Sequence, residues 1–155
     1  MKKNPDDTAV LQYLATQNLL AGQNKTAIER FEQVLKKSPD DVATLNNLAL
    51  AYHREKHSRA LATAERAYKL APDSPVVADT LGLILVEQGS TKRGLGLLQQ
   101  AAAKDPKSPE IQYHLAMALA KAGDKAQARR VLETLLAGDS RFPEREAAQQ
   151  LLKQL

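Results

Sequence analysis

One period runs through most of this chain. Pro39, Pro72 and Pro106 are spaced 33 and 34 residues apart, and Ala27, Ala60, Gly94 and Ala128 are spaced 33, 34 and 34. Gly22, Gly89 and Gly123 fall on the same grid, with Lys56 close to the remaining place. A large-then-small pair recurs as Leu14-Ala15, Leu48-Ala49, Leu81-Gly82 and Leu115-Ala116. A repeat of this length means that the chain stacks copies of one supersecondary unit, each burying its apolar face against its neighbours.

Each period reads as two helices. In the third, Val77, Leu81, Ile84 and Leu85 recur at helical spacing from Pro75 to Gln88. Ser74 stands as N-cap before a proline in the first turn, Gly89 stops the helix, and Ser90 is expected to cap the next. That helix, Thr91–Lys104, carries Leu95, Leu98 and Ala102 on one face, and Asp105-Pro106 closes it because a residue before proline avoids the helical region. Ser108-Pro109 opens the fourth period in the same way. Turns this short force antiparallel neighbours. The recurring Ala and Gly let paired axes approach closely while the leucines fill the flanking space. A helical glycine costs about 1 kcal/mol relative to alanine; close packing accounts for Gly94, whereas the sequence supplies no reason for Gly96.

These residues resemble the tetratricopeptide repeat (TPR): Leu-Gly/Ala early, Gly in the middle turn, small residues later and Pro near the end of a 34-residue helix–turn–helix. The resemblance covers Thr8 to about Ala137. The departures are a missing first-helix Trp, a second repeat one residue short around Lys56–Ser58, a fourth repeat without the closing Pro, and Val34 and Leu135 in place of the later Ala. The expected fold is therefore all-α, a right-handed TPR solenoid: a tail at 1–7, repeats at 8–41, 42–74, 75–108 and 109–142, and a capping helix at 143–155. In the cap, Ala147, Ala148, Leu151, Leu152 and Leu155 form a stripe opposite Glu144, Arg145, Gln149 and Lys153. The wording of the chain from LNNLAL onward is also similar to the C-terminal part of large bacterial TPR lipoproteins associated with exosortase and exopolysaccharide systems.

Composition removes several function classes. The 155 residues include no Cys, so thiolate metal sites, cysteine nucleophiles and disulfides are excluded for this chain. The net charge of +4 is spread over the repeats, and with aromatics at 4% and no Trp there is neither a basic stripe nor a set of stacking platforms for nucleic acid. No continuous apolar run approaches membrane-spanning length. The chain as written is expected to be cytoplasmic, or in the cell envelope as a piece of the lipoproteins it resembles.

Chemistry-bearing constellations are sparse. His53 and His57 have i, i+4 spacing without a matching third ligand, so no metal is expected. His114 is a lone helical histidine, and Gly94-Leu95-Gly96 lies inside a helix with no strand before it. The six serines stand at helix starts or in loops, where capping explains them. The expectation is a non-catalytic protein without cofactor.

In the TPR family the first helix of each repeat lines a concave groove. The resemblance then implies groove positions at Gln12 and Thr16, at Asn46, Asn47, Leu50, His53 and Arg54, at Asp79, Leu83, Val86 and Glu87, and at Tyr113, Met117 and Lys121. Leu50, Leu83, Val86 and Met117 would be its apolar floor. The carboxylate-gripping TPR subtype is disfavoured, because its three cationic positions hold Gln12, Val76 and Thr80, its first asparagine position holds Thr16, and only Asn47 matches. The expected function is a scaffold that binds a peptide or protein segment. The alternative is an assembly module that self-associates through an N-terminal edge at Val10, Leu11, Leu14 and Leu20, as part of a bacterial exopolysaccharide or protein-sorting system.

Overall fold

A computed structural model describes residues 7–155; residues 1–6, most of the expected tail, lie outside the described residues. The described residues form nine α-helices and no strands: α1 (Thr8–Leu20), α2 (Asn24–Lys37), α3 (Val42–Arg54), α4 (Ala60–Leu70), α5 (Pro75–Glu87), α6 (Thr91–Lys104), α7 (Pro109–Lys121), α8 (Lys125–Ala137) and α9 (Arg145–Gln154). They divide into two compact units, one ending at Pro72 with α1–α4 and the other, Asp73–Leu155, with α5–α9. In the first unit α1 pairs with α2 and α3 with α4, and the pairs stack through α2 on α3 and α1 on α3. In the second, α5 pairs with α6 and α7 with α8, stacked through α6 on α7 and α5 on α7, and α9 packs on α8.

The turn inside each pair repeats one device. Gly22, Gly89 and Gly123 have φ of +73°, +92° and +90°, and Lys56 fills the same left-handed place at +54°. The next residue then donates its N–H back across the turn: Gln23 to the Asn18 carbonyl, His57 to Tyr52 and Ser90 to Leu85, each at 2.8 Å, and Asp124 to Leu119 at 3.0 Å. This is the Schellman closure, which satisfies carbonyls the helix end leaves over. The second repeat thus keeps its turn intact. Its missing residue falls instead in the first turn of α4, which begins at Ala60 itself, whereas α2, α6 and α8 begin ahead of Ala27, Gly94 and Ala128.

Ser74 and Ser108 cap their helices as expected, as do Asp41 and Asp124, whereas α2, α4, α6 and α9 start without a side-chain capping bond. Asp41 accepts from the Thr44 N–H at 2.7 Å, Ser74 from Val77 and Ser108 from Ile111 at 3.4 Å, and Asp124 from Gln127 at 3.0 Å. Ser90 makes no side-chain capping bond. Its ψ of 55° departs from the extended values near 105–118° at Asp41, Ser74 and Ser108. Asp124, in nearly the same conformation as Ser90, still reaches with its longer arm.

The small-residue ladder is buried throughout: Ala15, Ala27, Ala49, Ala60, Ala116 and Ala128 are all in the core. At the third repeat the approach is closer still. A Cβ on Gly94 would stand 2.6 Å from the Gly82 carbonyl oxygen and 2.9 Å from the Val86 nitrogen, both rigid backbone. Gly96 has nothing within 4 Å of its missing Cβ and lies on the exposed side of the same helix. The two glycines therefore respond oppositely to alanine. Gly94→Ala is expected to destabilise by about 1–3 kcal/mol, because overpacking outweighs the gain in helix propensity. Gly96→Ala is expected to stabilise by about 1 kcal/mol from propensity alone. Urea unfolding of the two variants checks the pair; a loss of stability at Gly96 would overturn this reading.

The C-terminal cap is built as a core of its own. Ala148 of α9 joins Ala116, Leu132 and Phe142, with Leu151, Leu152 and Leu155 packed against them. Ala147, expected in that stripe, is exposed. Arg145 closes the end of α8 by donating to the Leu136, Gly138 and Ser140 carbonyls at 3.0–3.1 Å, a cation placed where a helix C-terminus is negative.

Candidate functional site

In each unit the first helices of the pairs lie side by side, α1 with α3 and α5 with α7, so the implied groove residues divide into two faces. Several of them already have partners. On the first face, the Gln12 amide donates to Asp41 at 3.0 Å and to the Thr44 hydroxyl at 3.1 Å, joining α1 to the cap of α3. The Thr16 hydroxyl donates to the Gln12 carbonyl at 2.9 Å. The Arg54 guanidinium donates to the Leu19 carbonyl at 3.0 Å, near the C-terminus of α1. Gln12 and Arg54 thus join one repeat to the next. Asn46 is buried, and its side-chain oxygen has no hydrogen-bond partner.

Asn47, Leu50 and His53 are half-buried on α3. Asn47 and Leu50, three residues apart, share a helical face. The Asn47 side chain makes no hydrogen bond to a described residue, so its donors and acceptor stay open. His57 belongs to the turn: its ring stacks on Tyr52 with centroids 4.5 Å apart, and its Nδ1 accepts from the Arg59 N–H at 3.1 Å.

The second face differs because α5 is apolar nearly all round. Val77 through Val86 are ten consecutive buried residues, Asp79 and Thr80 being the polar ones among them. Leu83 and Val86 are therefore packing residues and offer no surface for a groove floor. Val86 clusters with Leu98 and Ala118, against which Leu95 and Leu115 pack. Glu87 and Lys121 are exposed at the helix ends, Met117 is half-buried, and Tyr113 packs against the cap core.

Asp79 and His114 form the main polar feature of this face. The His114 Nδ1 lies 2.9 and 3.0 Å from the two Asp79 carboxylate oxygens, with side chains only 13% and 12% exposed. Burial lowers the pKa of His114, but the hydrogen bond to Asp79 and the charges of Asp79, Glu144 and Glu110 outweigh it, so the imidazole keeps its proton above the usual histidine range. Burial, with Glu144 and Glu87 beside it, likewise raises the Tyr113 phenol. Glu144, from the cap, has one buried oxygen without a hydrogen-bond partner. The cap segment thus brings charge to the α7 face, a contribution that repeat spacing could not reveal. Among the described residues no group of three or more His, Cys, Asp or Glu side chains is arranged to hold a metal ion, and no helix is long and apolar enough to cross a membrane.

Stacked helix pairs with small-residue contacts, and polar side chains used mainly to join neighbouring pairs, define a helical-repeat scaffold. Tetratricopeptide repeat models match residues 19–75 and 85–155. The chain belongs to the tetratricopeptide repeat family, whose members are in general non-catalytic scaffolds for protein–protein interaction. No curated protein matches it. Among solved structures it is similar to TTC0263, a thermophilic TPR protein of Thermus thermophilus, at TM-score 0.82 and 22% identity over 98% of this chain and 84% of that one. It is also similar to MamA from Desulfovibrio magneticus RS-1, at TM-score 0.71 and 20% identity over 88% and 80% of the two chains. YrrB, a TPR protein with an unusual peptide-binding site, aligns at TM-score 0.71 and 16% identity over 98% and 77%.

Proposed function

We propose that this protein holds a peptide segment of a protein partner on the first-helix face of its first unit, around Asn47, Leu50 and Thr16. The observation that carries this reading is the pairing of an amide without a hydrogen-bond partner, Asn47, with a half-buried leucine one helical turn away. An amide of this kind pairs with a peptide backbone, and the leucine takes an apolar side chain. Gln12 and Arg54 on the same face, and Asp79 and His114 on the other, are already bonded within the protein. The described peptide-binding site of YrrB supports a similar use of the fold.

The test is a titration of a partner captured from the native host against wild type, Leu50→Glu and Asn47→Ala, at low and high salt. Leu50→Glu is expected to weaken binding by roughly 1–3 kcal/mol, since it sets a charge against an apolar partner. Asn47→Ala is expected to cost about 1 kcal/mol for a lost hydrogen bond. Salt should have little effect, because few ion pairs carry the complex. Unchanged affinity in Leu50→Glu with a steep salt dependence would place the site elsewhere.

A second reading rests on α1, where Leu14 is 38% and Leu20 75% exposed beside exposed Tyr13. These side chains support self-association through this edge. Leu11, expected to contribute, is buried and does not. Sizing over a concentration range, with Leu14→Glu and Leu20→Glu together, tests it: a dimer abolished by the pair favours assembly. A role in a bacterial exopolysaccharide or protein-sorting system is the pathway that the sequence resemblance supports.

A further inference from the structure

The charge of the second unit is uneven along its helices. Consecutive helices joined by short turns run antiparallel, so the α5–α6 and α7–α8 turns lie at one end of this unit and the α6–α7 turn at the other. The two turns of the first end are neighbours, since α5 packs on α7, with axes about 10 Å apart. This end carries Lys92 and Arg93 in the first turn of α6, Lys121 at the end of α7, and Lys125 and Arg129 on successive turns of α8, all exposed. Cations scattered from 92 to 129 in sequence are gathered there by the reversal of the chain.

Little at this end offsets them. Two carboxylates, Glu87 and Asp124, stand against the five cations. Asp124 is already engaged, accepting from the Gln127 N–H at 3.0 Å. Lys92, Lys121, Lys125 and Arg129 make no ion pair to a described residue. At the opposite end, by contrast, Lys104 is paired with Asp73 at 2.5 Å, and Lys107 stands between Asp105 and Glu110 in the chain. The positive end is also open and without large apolar side chains. Nothing lies within 4 Å of a Cβ placed on Gly89 or Gly123. The large apolar side chains exposed among the described residues, Tyr13, Leu14, Leu20, Leu70 and Val76, all lie elsewhere.

We infer that this end of the second unit docks on an anionic phospholipid surface. A protein partner needs an apolar or aromatic anchor at the centre of its interface, and a single-stranded nucleic acid needs aromatic platforms; this end supplies neither. Three of the five cations are lysines, hydrated point charges on flexible stems rather than planar forks. Such charges suit headgroups that diffuse laterally and gather beneath them at any spacing. Five cations fall within the cluster size of about four to eight that holds a segment to an anionic leaflet. The attraction is electrostatic between exposed charges, so salt should screen it.

The test sediments the whole chain with vesicles of phosphatidylcholine alone, or of phosphatidylcholine with about one-third phosphatidylglycerol. Binding to the anionic vesicles alone is expected at low salt, and its loss at high salt. Lys121→Glu combined with Lys125→Glu should weaken that binding by about tenfold or more. Lys107→Glu combined with Arg141→Glu makes the same change in net charge at the opposite end and should leave binding nearly unchanged. All four positions are exposed, and circular dichroism checks that both variants keep their helices. No binding to the anionic vesicles, equal binding to phosphatidylcholine alone, or an equal loss in the two variants would overturn the proposal. Duplex DNA bound more tightly than the vesicles at equal phosphate would overturn it in favour of nucleic acid.

Discussion

Replacing His114 by alanine is expected to destabilise the second unit by about 3–5 kcal/mol, the range for removing one partner of a buried ion pair. Asp79 would be left nearly buried with no cation, and Glu144 and Glu110 lie close enough to act on the same site. The loss should come from the stranded carboxylate more than from the missing ring. Combining His114→Gln with Asp79→Asn restores a neutral hydrogen-bonded pair and should recover most of the stability. The pair also makes stability depend on pH. The folded pKa of His114 lies above its ordinary value of 6.5. Its contribution is complete below about pH 6.5, the unfolded value, and is lost as pH rises through the higher folded value, because the folded state then binds the extra proton. Thermal unfolding from pH 5 to 9 should show the gap between wild type and the neutral double variant narrowing as pH rises. A gap independent of pH would mean that the histidine binds its proton equally in the folded and unfolded states, and a gap that widens as pH rises would mean that the imidazole is neutral in the fold.

Val86→Glu should be worse. Val86 is 1% exposed, clusters with Leu98 and Ala118, and has a methyl group 2.6 Å from where a Cβ on Gly94 would stand. A glutamate there must bury a carboxylate without a partner and insert extra volume where α5 and α6 already pack backbone against backbone. The combined cost should exceed about 4 kcal/mol, comparable to the whole stability of many domains. The expected result is a variant that has lost the cooperative unfolding of its second unit. Val86→Ala, which only removes volume, should cost about 1–3 kcal/mol and keep the fold. Circular dichroism with urea titration separates the two. A folded Val86→Glu with near-normal stability would mean that this position faces solvent after all, as the sequence resemblance implied.

The groove positions were only partly legible in the sequence. Family resemblance placed Asn47, Leu50 and Met117 on first helices, and the structure leaves all three half-buried. It could not tell that Gln12 and Arg54 are spent joining α1 to α3, because those partners lie 29 to 35 residues away. It also gave Leu83 and Val86 the same standing as Leu50. The apolar run from Leu81 to Val86 was the available sign that this part of α5 has no free face. Glu144 was visible only as a polar residue of the cap; its effect on His114 needs the chain to return to α7.

Local chemistry sufficed for the rest. The 33–34-residue spacing, the small-residue ladder, Ser74 and Ser108 before proline, and the turn glycines determined the helix pairs, because caps, left-handed turns and close axial approach each restrict residue type at one position. Tertiary structure decided where those elements spend their polar groups: Lys56 takes a left-handed place that glycine holds elsewhere, Gly94 meets backbone while Gly96 meets nothing, and Asp79 finds His114. Periodicity marks which residues share a helix face. Whether that face meets solvent, a neighbouring helix or an opposite charge depends on contacts distant in sequence, which no local pattern encodes.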